Sequence, residues 1–270
     1  MKTSERRKVT YPWKGFLIFL GLYIIGLVMY YPVLKSQAEV FIGIVGETAA
    51  YTPTQFAGLA LIQPILLGVI AIYGGHRYAH KVNLRSLINE KVEDRDPSRI
   101  EREVYSLKDS LPFIVVFALG LAVLNLGFDF VFQNWLPEMY QPNFVVPNIS
   151  QALSNIFYSG LGQEILLRWG IMTTIVYVFG SRGQAVSQWS YLVGFIFTAI
   201  LYGFAQFSSV IGTIDMTPMI IIRLLLLNVL DGLAYGWLYY KFHFEASVLT
   251  HMLTNVLVIL GTIGIASIIG

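Results

Sequence analysis

Residues 151–179 read QALSNIFYSGLGQEILLRWGIMTTIVYVF, and this stretch decides the fold. It carries two charges, Glu164 and Arg168, in an otherwise apolar or neutral run. About 20 apolar residues cover the roughly 30 Å of a hydrocarbon core, so the run is long enough to span it as a helix. Ionisable groups inside a bilayer are costly. Two of opposite sign, four positions apart, share one helix face and can neutralise each other. The stretch therefore predicts a transmembrane helix with one polar face turned into a bundle.

Working outward, six further apolar runs flank it: 15–34, 56–75, 112–134, 190–210, 218–240 and 246–268. They are continuous rather than alternating, which favours helices over a barrel. The fold class expected is all-α, a polytopic transmembrane helical bundle of about seven spans. Composition agrees: 56% of the 270 residues are hydrophobic and 13% charged, against roughly 25% charged in a soluble domain. Mean hydropathy is +0.64. The net charge of +2 gives no footing for a nucleic-acid partner, and the absence of cysteine excludes disulfides and thiolate chemistry. The lipid bilayer is the expected environment.

Lysine and arginine set the expected orientation. They cluster in 1–14 (Lys2, Arg6, Arg7, Lys8, Lys14), in 76–110 (Arg77, Lys81, Arg85, Lys91, Arg95, Arg99, Arg102, Lys108) and at Arg182 and Lys241. The alternate loops 35–55, 135–150 and 211–217 hold only Lys35. With a cytoplasmic N-terminus every cluster falls inside, which predicts a multi-pass protein of the cell membrane with an uncleaved first span. Two parts are expected: an N-terminal two-span region, 1–110, ending in a charged, water-soluble cytoplasmic linker (76–110), and an intramembrane domain, 111–270.

The polar residues inside the spans concentrate in the second part: Gln163, Glu164 and Arg168, then Gln206, then Arg223, Asn228 and Asp231, then His251 and Asn255. His251 and Asn255 share a face in the same way as Glu164 and Arg168. Arg223 and Asp231 are too far apart to pair within one helix, and Asp129 is expected near headgroups. Gly232, Ala234 and Gly236 thin one face for close packing. His76 and His80 have a spacing that could hold a metal, but beside Arg77 and Lys81 they read as interfacial, snorkelling cations.

Three patterns in order carry a family resemblance. Gln163-Glu164-Ile165-Leu166-Leu167-Arg168 is similar to E-E-x-x-x-R, Tyr202-Gly203-Phe204-Ala205-Gln206 to F-x-x-x-H, and His251-Met252-Leu253-Thr254-Asn255 to H-x-x-x-N. Together, over roughly 112–262, they resemble the CPBP intramembrane proteases, the CAAX-protease and bacteriocin-immunity (Abi) family. The resemblance implies that the first glutamate and the second-pattern histidine activate water, that the third-pattern histidine and asparagine stabilise an oxyanion, and that the second glutamate and the arginine are structural. A divalent metal is implied by family analogy only, and no cofactor is expected.

This chain departs where the chemistry is most demanding. Gln163 and Gln206 stand where the family has glutamate and histidine, and a carboxamide can neither serve as general base nor shuttle a proton. The degenerate site is thus Gln163, Glu164, Arg168, Gln206, His251 and Asn255. The favoured expectation is a pseudoprotease that binds a membrane protein or transmembrane peptide, in a setting such as bacterial cell-envelope assembly or peptide-toxin immunity. The alternative is an active CAAX-type endopeptidase using Glu164 and His251. A transporter is a third reading, weakened by the lack of repeated halves. Counting along the spans, Gln206 falls near one membrane face and His251 near the other.

Overall fold

The computed structural model describes residues 11–46, 50–93, 104–132, 146–180, 186–206 and 217–269, and these are helical with no strand among them. Six helical stretches are long and apolar enough to cross a membrane: Trp13–Ile44, Pro53–Val82, Leu107–Phe132, Gln188–Ala205, Pro218–Lys241 and Phe244–Ile268. The elements are α1 (Trp13–Val45), α2 (Pro53–Ala60), α3 (Ile62–Tyr78), α4 (Leu87–Val92), α5 (Leu107–Phe132), α6 (Ile149–Leu153), α7 (Thr173–Gly180), α8 (Gln188–Ala205), α9 (Pro218–Lys241) and α10 (Phe244–Ile269).

The expected fourth span differs from the rest, and so six rather than seven regular spans are present among the described residues. Between α6 and α7 the chain stays helical but is wound as π-helix over Ser154–Gln163 and Ile165–Met172. Winding with i→i+5 bonds is rare, commonly a single turn, and frequent at functional sites. Two successive π segments flanking Glu164 are therefore the most unusual backbone feature in the described chain.

Helix α1 runs through Val45 and not to 34, because nothing after Lys35 stops it until Gly46 takes a positive φ of 70°. Pro53 opens α2 at its first position, with Thr52 and Gln55 forming a capping box. The break at Leu61 precedes Pro64, whose missing N–H cannot bond the Ala60 carbonyl.

Close helix contacts explain the glycines. A Cβ at Gly170 would collide with Ala71, and one at Gly75 with Trp169. Lipid gives little hydrophobic drive for helices to associate, so small residues that admit close backbones decide such interfaces. Around them sits an aromatic core of Phe19, Tyr23, Trp169, Tyr239 and Phe244. His76 belongs to this core. It is buried, packs edge-on against Phe19 and accepts a hydrogen bond from Trp169 Nε1 at 3.0 Å. The expectation of a snorkelling interfacial cation fails for His76, because the glycines draw α3 and its histidine inward; His80 is exposed as expected.

The charged linker is also not wholly solvated. Its middle, 94–103, lies outside the described residues, as do 1–10 and Arg182, but the described flanks are docked. Arg85 forms a two-pronged pair with Glu90 (2.7 and 2.8 Å) and donates to the Tyr105 carbonyl. Phe244 N–H donates to the Arg85 carbonyl. Gly15 N–H donates to Glu93 at 2.9 Å. Lys241 sits over the Tyr105 ring. The start of α1, the segment 79–93, the residues before α5 and the α9–α10 turn therefore gather at one end of the bundle.

Candidate functional site

Helix α10 supplies the centre of the site. His251 lies two turns into it and is 2% exposed, and Glu164, between the two π segments, is 0% exposed. His251 Nδ1 is 3.0 Å from Glu164 Oε1. Ser247, four residues before His251 on the same helix face, donates its hydroxyl to Glu164 Oε2 at 2.5 Å. Arg168 Nε is 3.5 Å from the same carboxylate, and Arg168 Nη2 donates to the Gly232 carbonyl at 3.0 Å. The guanidinium also lies over the Tyr202 ring. Glu164 and Arg168 thus form the self-neutralising pair that their spacing predicts, with serine and histidine completing the shell.

The π winding explains how Glu164 reaches this position. In an α-helix each residue turns about 100° from the last, so Glu164 would face well away from the direction of Gln163. A turn closed by i→i+5 bonds rotates each residue less. Glu164 points into the bundle, while the Gln163 oxygen is buried without a hydrogen-bond partner among the described residues.

Gln206 joins the site through a tyrosine. Tyr202 Oη is 3.3 Å from His251 Nε2, and the Gln206 side chain is a hydrogen-bond partner of the same hydroxyl. The mismatch in depth expected between Gln206 and His251 disappears for a structural reason. The α9–α10 turn is itself buried, with Phe242 at 3% and His243 at 0% exposure, under the docked 83–93 segment. Helix α10 therefore starts below the surface, and His251 lies deeper than a count from the membrane face implies.

Asn255 is one turn beyond His251, at the margin of this cluster, and donates to the Asn155 carbonyl at 2.6 Å. Arg223 and Asp231 are not part of the Glu164 cluster. Arg223 pairs with Asp129 through two bonds of 2.5 and 2.6 Å, a partner the sequence does not show for a residue three positions from the end of α5. Asp231 takes the Asn125 amide. Tyr235 stacks on the His251 ring at 4.2 Å.

Sequence reasoning missed Tyr202, Ser247 and Tyr235. Two signals could have found the first two: Tyr202 occupies the aromatic position of the second pattern, and Ser247 is one turn before His251.

One neutral tautomer of His251 satisfies every contact. Nδ1–H donates to Glu164, and Nε2 accepts from the Tyr202 hydroxyl, whose oxygen accepts from the Gln206 amide. Both imidazole nitrogens and both carboxylate oxygens have a protein partner, while Arg168 Nε and Nη1 lack a hydrogen bond among the described residues. A general base must lie within reach of the proton it takes, and Glu164, 0% exposed, is enclosed by protein groups. The described residues hold no group of three His, Cys, Asp or Glu that could ligate a metal, so the donor set does not fit the divalent metal of the family analogy.

Residues 145–257 match the family model described as Rce1-like, type II CAAX prenyl endopeptidase Rce1-like. The match spans all three patterns and starts after α5. No curated protein and no solved structure matches the chain.

Proposed function

Because this chain is a membrane protein with an Rce1-like region over residues 145–257, we propose that it is a non-catalytic member of the CAAX protease family which binds a transmembrane segment of another membrane protein. The observation that carries the proposal is the enclosure of the Glu164–His251 pair by protein groups. Glu164 is fully buried with Ser247, His251 and Arg168 around it, and His251 is held on both nitrogens. The family's remaining proton-transfer positions are the carboxamides Gln163 and Gln206. General acid–base catalysis contributes about 10²–10⁴-fold, and this arrangement forgoes it. The orphaned Gln163 oxygen supports a bound ligand that brings its own hydrogen-bond donor.

The same proposal places the protein in a cell membrane with its N-terminus cytoplasmic. The basic residues of the docked end, Lys81, Arg85 and Lys241, support that orientation. It also divides the chain into a two-span part, 1–110, and a CPBP-like part, 111–270.

The test pairs two measurements on protein purified in mild detergent. Native co-purification with mass spectrometry and stoichiometry is expected to return a near one-to-one membrane partner. Incubation of the reconstituted wild type and the Glu164→Gln variant with solubilised membrane proteins, followed by mapping of new peptide termini, is expected to show no difference between them. New termini made by the wild type and lost in a folded Glu164→Gln variant would establish the endopeptidase reading instead.

A further inference from the structure

The carboxylates within the candidate spans are not equally served. Glu39 faces Lys35 on an exposed helix surface. Asp109 accepts the backbone N–H and hydroxyl of Ser106 at the start of α5. Asp129 has the Arg223 guanidinium, Glu164 has Arg168, His251 and Ser247, and Glu245 has Ser86, two backbone N–H groups and His243. Among the described residues Asp231 has a single neutral donor, Asn125 Nδ2, which lies 3.2 and 3.1 Å from its two oxygens and also donates to the Leu121 carbonyl.

Its position makes this the most demanding of the set. Asp231 is 13 residues from the start of α9 at Pro218 and 10 from its end at Lys241. At 1.5 Å per residue that is about 20 and 15 Å, near mid-membrane. It is 7% exposed, in the seam between α5 and α9. Tyr235, four residues further along α9 and so on the same helix face, stacks on the His251 ring. An ionisable group buried in a span without an opposite charge is expensive, and such groups are candidate functional sites whose partner has to be named. The residue next to it in sequence, Leu230, is exposed, and Asn125 is half-buried. The α5–α9 seam therefore reaches the lipid-facing surface.

We infer that Asp231, flanked by Asn125, receives a lysine or arginine side chain carried at mid-membrane depth by a transmembrane helix of the partner. This rests on the reading that the protein binds a transmembrane segment, and it adds the chemistry by which that segment is chosen. A cation against Asp231 supplies what Arg223 supplies to Asp129 and Arg168 to Glu164. The apolar helix around it packs on lipid-facing side chains that do not discriminate among sequences.

The test uses full-length protein in phosphatidylcholine nanodiscs and synthetic single-span leucine–alanine peptides that carry a central lysine, norleucine or aspartate, with binding read by energy transfer. Wild type is expected to hold the lysine peptide about tenfold more tightly than the norleucine peptide, in line with polar contacts between spans. Asp231→Asn is expected to abolish that preference while keeping norleucine binding, and Asp231→Lys to favour the aspartate peptide. Equal binding of the lysine and norleucine peptides by wild type would overturn the inference and leave the binding reading standing. Binding of neither would overturn both. The wild-type comparison alone decides the matter if the variants fail to fold.

Discussion

Two glutamates meet histidines of α10 and the turn before it, partly buried Glu245 with His243 at the helix start and fully buried Glu164 with His251 two turns further on. The first lies in no motif, and the second lies in two. Both are held by several protein groups. Glu245 accepts Ser86 Oγ at 2.6 Å and the N–H groups of Leu87 and Ile88 at 2.9 and 3.0 Å, which caps α4 and ties the linker to α10. Glu164 accepts Ser247 and His251 and neutralises Arg168. A glutamate–histidine contact in this bundle is thus a fastener wherever its remaining lone pairs go to protein donors. The motif around Glu164 carries a family resemblance without guaranteeing the family's chemistry. What separates the two is the guanidinium: Glu164 compensates a full buried charge, whereas Glu245 serves dipoles and hydroxyls.

That difference predicts unequal costs. Glu164→Ala leaves Arg168 buried and uncompensated, a change worth about 3–5 kcal/mol. Thermal unfolding in detergent should show a large fall in Tm or loss of monodisperse protein. The double variant Glu164→Ala/Arg168→Ala should lose less than the two single losses added together. A Glu164→Ala protein as stable as wild type would break the comparison, and Glu164 would then have to be explained by chemistry.

Glu245→Gln should cost less, about 1.5–3 kcal/mol for hydrogen bonds to a charged group, and the effect should be local. Hydrogen exchange should speed up over Leu87–Val92 while the centre of α10 around His251 stays protected. Equal loss of protection at both places would mean that the two fasteners act as one unit.

The sequence carried the bundle and the match to the family model over 145–257 because both rest on long-range regularities: continuous apolar runs near 20 residues, and three ordered patterns. It also carried the Glu164–Arg168 pair, since four-residue spacing has a direct geometric meaning. It did not carry the π winding around Glu164, because backbone hydrogen bonds shifted by one residue leave no mark in residue type. Nor did it carry the partners of Asp129 and Asp231, which come from other helices and are set by packing. His76 was misread because its fate depends on Gly75 and Gly170 bringing α3 against Trp169, a contact between residues some 95 positions apart.

The smallest expected effect tests the comparison at its least motif-like end. Ser110 Oγ is 3.1 Å from His243 Nε2, and His243 Nδ1 is 3.2 Å from Glu245, so serine, histidine and glutamate line up in the order of a hydrolytic triad. Burial argues against hydrolytic chemistry here: Ser110 is 0% exposed and its hydroxyl donates to the Leu107 carbonyl at 3.0 Å, so a substrate carbonyl has no route to it. Ser110→Ala should therefore cost about 1 kcal/mol, the value of one ordinary hydrogen bond, seen as a small shift in unfolding temperature. A serine-directed fluorophosphonate should not label Ser110 in wild type; labelling lost in Ser110→Ala would show that the second pair is more than a fastener.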